Sequence, residues 1–318
     1  MKYIINSFLL ISLFFSSCGD METVIDLDVP PHEPVLVLNG IFDSDTIAQV
    51  SVSHSSGAFS STVPAFIQNA NVSLYKGGVF VENLIADMTD LIYVDYIDNS
   101  YNMNSLAMYY YKGNFLLEEG AEYRVDVSHS DYDAISAETY IPLDLTVFNI
   151  DIDSVSSEDK ISLMFTFTDN PNQQNYYHIK SYSCNKEYGD EYGYEDEYED
   201  EYSVGFMSND PSFPGSIPNQ QGYTFEGDNV LFTDALFNGE QKTIMLDLNK
   251  KALWCDTVII RLAHISKDTY SYYNSLDDHS GKGELGVFGG EVIPVYSNVQ
   301  NGLGVLTSIN SRNIYLKP

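Results

Sequence analysis

Basic residues are scarce in this chain: 15 lysines and arginines stand against 46 aspartates and glutamates, for a formal net charge of −31. That shortage argues against nucleic acid as a partner, because neutralising phosphates takes Lys and Arg. It argues equally against an electrostatic grip on anionic lipid headgroups. Cysteine is rarer still, with three residues. Neither a CxxC spacing nor a histidine cluster accompanies Cys184 and Cys255, so no metal is expected there. H-E-x-x-H and G-x-S-x-G are both missing, and the six histidines occur singly. Gly302-Leu303-Gly304 is followed by no Gly-Lys-Ser/Thr, so it is not a phosphate loop. Carboxylates are so numerous that a pair of them says nothing about glycoside chemistry. The expectation is a protein that is not an enzyme and carries no cofactor.

Long apolar runs are also lacking, with one exception at the start. Ile4 to Phe15 is apolar behind Met1-Lys2-Tyr3, and it closes on Ser16-Ser17-Cys18. A short positive start, an apolar core of roughly a dozen residues and small residues before a cut site make a secretory signal over 1–17. The run falls short of the ~20 residues a spanning helix needs. Cys18 behind two small residues resembles a lipobox, which makes it the lipidation site and the membrane anchor. Residues 18–33 then form an acidic tether kept extended by Pro30, Pro31 and its like charges. Acids just behind the lipidated Cys resemble the surface-export signals of Bacteroidota lipoproteins, a periplasm-facing anchor being the alternative. Outside the inner membrane Cys184 and Cys255 become a candidate disulfide, two buried free thiols being the alternative.

What remains is strongly patterned. With 44% hydrophobic and 14% aromatic residues the chain is too apolar to stay disordered. The pattern has period two, as in Thr46 to Ser53, Ala70 to Lys76 and Glu122 to Ser128, with Gly77-Gly78 turning a hairpin into Val79-Phe80-Val81. Leu91 to Ile97, Leu106 to Tyr111 and Ala134 to Ile141 complete a first set of strands. Seven or eight short strands predict an N-terminal β-sandwich over 34–143, closed by Pro142. A second β-rich domain is expected over 144–318, from Val147 to Ile152, Ile161 to Thr168, Tyr176 to Cys184, Thr243 to Leu248 and Thr257 to His264. Pro294 to Val305 is expected to return to strand after a glycine turn. The fold class is thus mainly β, two immunoglobulin- or transthyretin-like sandwiches. One segment departs from it: after Ser266, a candidate N-cap, Tyr270, Tyr273 and Leu276 fall about one turn apart and predict a short helix.

Two further features stand out. Val50 to Ser55 and Val125 to Ser130 share the pattern V-x-V-S-H-S. It reads better as two strands that end alike than as a paired-histidine site, since no ligand spacing accompanies either histidine. Residues 186–202 hold nine acids, five tyrosines and one lysine. Like charges at that density repel and stay solvated. The segment reads as a long loop, with Glu187, Asp190, Glu191, Glu195, Asp196, Glu197, Glu199, Asp200 and Glu201 as a candidate grip for a cation or a basic partner. The register of an EF-hand calcium loop is not there.

Val24 to Asp28, Pro34 to Gly40, Asn69 to Tyr75, Asn175-Tyr176-Tyr177, Phe232-Thr233-Asp234, Phe237-Asn238-Gly239 and Tyr296 to Val305 follow one another in an order that resembles the Bacteroidota outer-membrane lipoproteins catalogued as domain of unknown function 4249. Leu306-Thr307 depart from that pattern, and the acidic run is this chain's own insertion. The resemblance implies an outer-membrane address and an accessory role beside a TonB-dependent receptor, in nutrient capture or transport. It implies no catalytic residues. A structural or adhesive surface protein, and a hydrolase with a spatially assembled site, are the rivals.

Overall fold

The computed structural model describes residues 32–57, 65–97, 103–154, 157–184, 201–215, 218–249, 257–283 and 293–317. The strands of the first half are β1 (Leu36–Asp43), β2 (Ile47–His54), β3 (Asn71–Lys76), β4 (Val79–Ala86), β5 (Ile92–Ile97), β6 (Met103–Met108), β7 (Tyr111–Leu116), β8 (Ala121–His129) and β9 (Tyr132–Ile141). Next come β10 (Val147–Asp153), β11 (Lys160–Thr168), β12 (Tyr176–Cys184), β13 (Glu201–Ser203), β14 (Phe206–Ser208), β15 (Phe225–Gly227) and β16 (Asn229–Thr233). The chain then forms β17 (Gln241–Asn249), β18 (Thr257–Ile265), α1 (Lys267–Gly283) and β19 (Leu303–Leu316). The protein is predominantly β, as the period-two pattern requires.

Residues 34–318 form one compact unit. Its largest sheet has twelve strands in the order β13-β12-β18-β19-β1-β2-β7-β4-β3-β8-β9, with β16 added on β12. A five-stranded sheet runs β10-β11-β17-β14-β15, and β5 pairs β6 alone. Alternation decides which side chains go inside. In β8, Tyr123, Val125 and Val127 are buried while Arg124, Asp126 and Ser128 face out. The hairpin at Gly77-Gly78 forms as expected: both glycines take positive φ, 55° and 78°, which a two-residue turn between twisted strands demands.

Among the described residues there are two apolar cores. Leu36, Leu38, Phe42, Val50, Leu74, Val125 and Ile141 anchor the first, and Phe165, Phe167, Tyr177, Phe232, Leu246 and Ile260 the second. The last strand serves both. Its first part lies parallel to β1, from Val37 opposite Leu303 to Asp43 opposite Ile309. Its second part lies antiparallel to β18, from Ile265 opposite Ile309 to Val258 opposite Leu316. Val299 and Leu306, from the C-terminal stretch, therefore pack in the first core.

Gly304 makes the entry into β19 workable. Its φ is +100°, and an added Cβ would stand 2.1 Å from the Leu38 carbonyl oxygen. No other residue type fits that approach.

Three details differ from the sequence expectation. Leu106 to Tyr111 is divided between β6 and β7. Pro294 to Val299 is not strand; Gln300 makes a single bridge to Ser136, and the continuous strand begins only past the Asn301-Gly302 turn and runs to Leu316. The helix starts as predicted, with Ser266 Oγ accepting from Thr269 N at 3.1 Å, but it runs to Gly283 rather than stopping at Leu276.

Candidate functional site

Several residues singled out from the sequence lie outside the described residues: the signal 1–17, Cys18, the tether up to residue 31, Cys255, and Glu187 to Asp200 of the acidic run. Cys184 ends β12 and Glu201 opens β13, and their backbones pair directly. The acidic run thus leaves and returns on neighbouring strands. Among the described residues no group of three His, Cys, Asp or Glu could hold a metal ion, and no helix is long and apolar enough to cross a membrane.

The two histidines of the repeated V-x-V-S-H-S pattern come together on one ring. His54 stacks on Tyr132 with centroids 6.2 Å apart, and His129 lies 5.4 Å from the same ring. Their nitrogens point elsewhere. His129 Nδ1 accepts from Asp131 N at 3.1 Å, so its Nε2–H donates to Asn69 Oδ1 at 3.0 Å. His54 Nε2 accepts from Ala65 N at 3.3 Å, which leaves Nδ1–H for Ser55 O at 3.1 Å. Each ring is spent on its own strand exit.

The three short motifs of the second half converge in one buried cluster. Asp234 Oδ2 accepts from Asn175 N at 2.8 Å, and the Asn175 amide donates to Asn170 O at 2.8 Å. Tyr177 donates to Asp169, whose other oxygen accepts from Gly239 N at 2.7 Å. His264 donates through Nδ1 to Leu143 O at 2.8 Å, and its Nε2 faces Asn175 Oδ1 at 3.1 Å. Burial holds this histidine below its ordinary pKa, against the opposing pull of Asp169 and Asp234. These groups tie the loop before β12, the turn after β16 and the connection between the halves. That is scaffolding.

A second cluster joins Ser162, Lys160, Tyr223 and Asp247. Lys160 Nζ donates to Asp247 Oδ2 at 2.8 Å, and Ser162 and Tyr223 both donate to the same carboxylate. Burial opposes the charge on Asp247, but the bonds from Lys160, Ser162 and Tyr223 outweigh it and keep the carboxyl below its usual range. A carboxylate so stabilised is a poor base for activating the serine.

A polar groove lies on the outer face of β3, β8 and β9. Cross-strand register sets Tyr75, Arg124 and Glu138 in one row, Ser73, Asp126 and Ser136 in the next, and Asn71 beside Ser128 in a third. They line a cavity of about 520 Å³, completed by Gln300. Arg124 Nε lies 3.0 Å from Asp126 Oδ1, and its guanidinium carbon sits 4.3 Å from the Tyr75 ring centroid. Sequence reading found the strands but missed the groove; the only trace was the outward phase of Arg124, Asp126 and Ser128.

The closing motif Tyr296 to Val305 braces this face along the β9 edge. Asn298 Nδ2 donates to Glu138 O at 2.9 Å and Leu306 O at 2.8 Å, while its Oδ1 accepts from Leu306 N at 2.9 Å. Gln300 and Ser136 exchange backbone bonds, the shorter at 2.8 Å. Tyr296 donates to Asp268 on α1 at 2.5 Å, and burial, with the help of that carboxylate, pushes the phenol up to about 12.

Fold and site thus define a mainly-β protein with two cores, one shared C-terminal strand and an open polar groove. Its sequence from residue 22 to residue 314 matches the family described as Domain of unknown function (DUF4249), and the chain belongs to that family. No curated protein matches it.

Proposed function

We propose that the protein is a lipid-anchored accessory of the outer membrane, held through Cys18, facing the cell exterior and working beside a TonB-dependent β-barrel receptor in nutrient capture. In this reading residues 34–143 and 144–318 are immunoglobulin- or transthyretin-like sandwiches that share one closing strand. The observation that carries it is the N-terminal order: apolar Ile4 to Phe15, then Ser16-Ser17-Cys18, then an acidic tether that leads into a compact unit from Pro34. Two or more acyl chains on one cysteine anchor a protein stably, at about 0.8 kcal/mol per buried methylene. A binding role without catalysis is supported by the polar clusters, whose members hold strands together, while Asn71, Ser128, Glu138 and Gln300 leave exposed side chains on the groove. The receptor partnership comes from the family resemblance, and fold alone fixes no function.

Fractionation after a salt wash tests the anchor: Cys18→Ala should leave the protein unprocessed or free of the outer membrane. Co-purification of the tagged wild type in mild detergent tests the partner, with a β-barrel receptor expected in the eluate. A Cys18→Ala protein that still sediments with membranes would overturn the anchor. Repeated elution alone, under conditions that preserve other receptor–lipoprotein pairs, would overturn the partnership in favour of an adhesive or structural surface protein.

A further inference from the structure

Arg124 is held but not used up. Its Nε is buried against Asp126 without a well-directed hydrogen bond, its plane rests on Tyr75, and among the described residues nothing hydrogen-bonds its two terminal amino groups. Glu138, in register beside it, is exposed and makes no side-chain bond there; the same holds for Asn71, Ser128 and Gln300. We infer that this groove on β3, β8 and β9 binds a neutral polyhydroxylated ligand, a saccharide, with Arg124 as the central donor and Glu138 as the neighbouring acceptor.

The charges select against the other classes. A free anion would gain Arg124 but face both Asp126 and Glu138, and a cation would face Arg124. An apolar ligand would find little to cover, since polar side chains make up most of the wall. Adjacent hydroxyls suit the arrangement. Each can donate to the Glu138 carboxylate and accept from a guanidinium amino group, and the hydroxyls and amides of Asn71, Ser128, Ser136 and Gln300 continue both roles along the groove. Tyr75 and Asp126 fix the guanidinium in advance, so little side-chain freedom is lost on binding. The volume, about 520 Å³, falls in the ~300–1,000 Å³ range of small-molecule sites. A peptide added as a further strand is disfavoured, because Gln300 already occupies the β9 edge at Ser136.

The test is calorimetric titration of the full-length chain in mild detergent with neutral oligosaccharides from dextran, xylan and mannan. Oligogalacturonate, chitosan oligomers and a neutral tetrapeptide serve as comparators. At least one neutral series should bind, and Arg124→Lys should weaken it by about tenfold, because lysine keeps the charge but loses the planar fork. Gln300→Ala, at an exposed side chain, should weaken it several-fold with an unchanged melting temperature, and it carries the test if Arg124→Lys misfolds. The inference is overturned if no neutral series binds up to about 10 mM. Unaltered binding by both variants, or preference for the anionic, cationic or peptide probe, overturns it equally. The titration needs neither the lipid nor a receptor, so its failure and that of the anchoring proposal are told apart.

Discussion

Thr139 and Ser308 stand 169 positions apart, yet the Thr139 hydroxyl donates to the Ser308 hydroxyl at 2.9 Å with both residues buried. The Ser308 hydroxyl donates in turn to Tyr140 O, and its backbone N–H donates to Thr269 Oγ1 at 3.1 Å. One serine thus fastens β9, β19 and the first turn of α1. Ser308→Ala should cost about 1–3 kcal/mol, since it strands a buried donor on Thr139. Adding Thr139→Val should cost less than its separate effect predicts. A double-mutant cycle by urea denaturation measures that coupling, and strict additivity would show that the bond is not formed.

Gly304→Ala should be among the most damaging single changes in the chain. It combines a φ of +100° with a Cβ placed 2.1 Å from the Leu38 carbonyl oxygen. Strain of that kind alone costs about 1–3 kcal/mol, and the backbone contact adds to it. The denaturation midpoint should fall sharply. Gly205→Ala, where an added Cβ meets nothing within 4 Å, is the control and should change little.

Acid should weaken the fold through its buried histidines. Burial lowers His178 to about 4, helped by the charges of Lys180 and Arg261, and burial also lowers His264. Between the unfolded value near 6.5 and these lower folded values the unfolded chain binds more protons, so stability drops as pH falls. For His178 the loss begins below about pH 6.5 and approaches about 3 kcal/mol near pH 4. Denaturation at pH 7.5 and at pH 5 should therefore differ less in His178→Phe than in the wild type. Parallel losses in both proteins would show that this histidine is not held neutral.

Replacing residues 187–199 by a short Gly-Ser turn should leave the fold intact. Cys184 and Glu201 are paired across β12 and β13, so the ends that must be joined are already adjacent. Closure cost changes by only about 0.6 kcal/mol per doubling of loop length. Removing acids also relieves repulsion that reaches about 8 Å at physiological salt. The melting temperature should hold or rise slightly. If the segment grips a cation or a basic partner, that binding should vanish while ligand-free stability stays the same. A fall of many degrees would mean that the tyrosines pack into the protein.

Local alternation carried most of what the sequence made legible. Tyr123, Val125 and Val127 announced a strand with one buried face, and Ser266 ahead of Tyr270 and Tyr273 announced the helix. Side-chain periodicity speaks for one strand at a time, however. The groove exists because Tyr75, Arg124 and Glu138 share a register across three strands, and no spacing within any one of them encodes that. The same limit hid the meeting of His54 and His129 on Tyr132, although the shared V-x-V-S-H-S pattern marked both strand exits. It hid β19 more completely. The neighbour of Val37 is Leu303, and a parallel pairing over that separation leaves no local trace.

That pairing also fixes a timetable. A ribosome delivers Leu36–Asp43 early, but its parallel neighbour, Leu303–Ile309, arrives only with the last described strand. Until then Leu36 and Leu38 lack Leu306 on their flank, and β18 lacks the companion it shares with β1. Contacts so distant in the chain form slowly, because the intervening loop must close before they reward it. Completion of both cores therefore waits for β19: the first lacks Leu306, and the second lacks Ile314 and Leu316, until that strand is laid down.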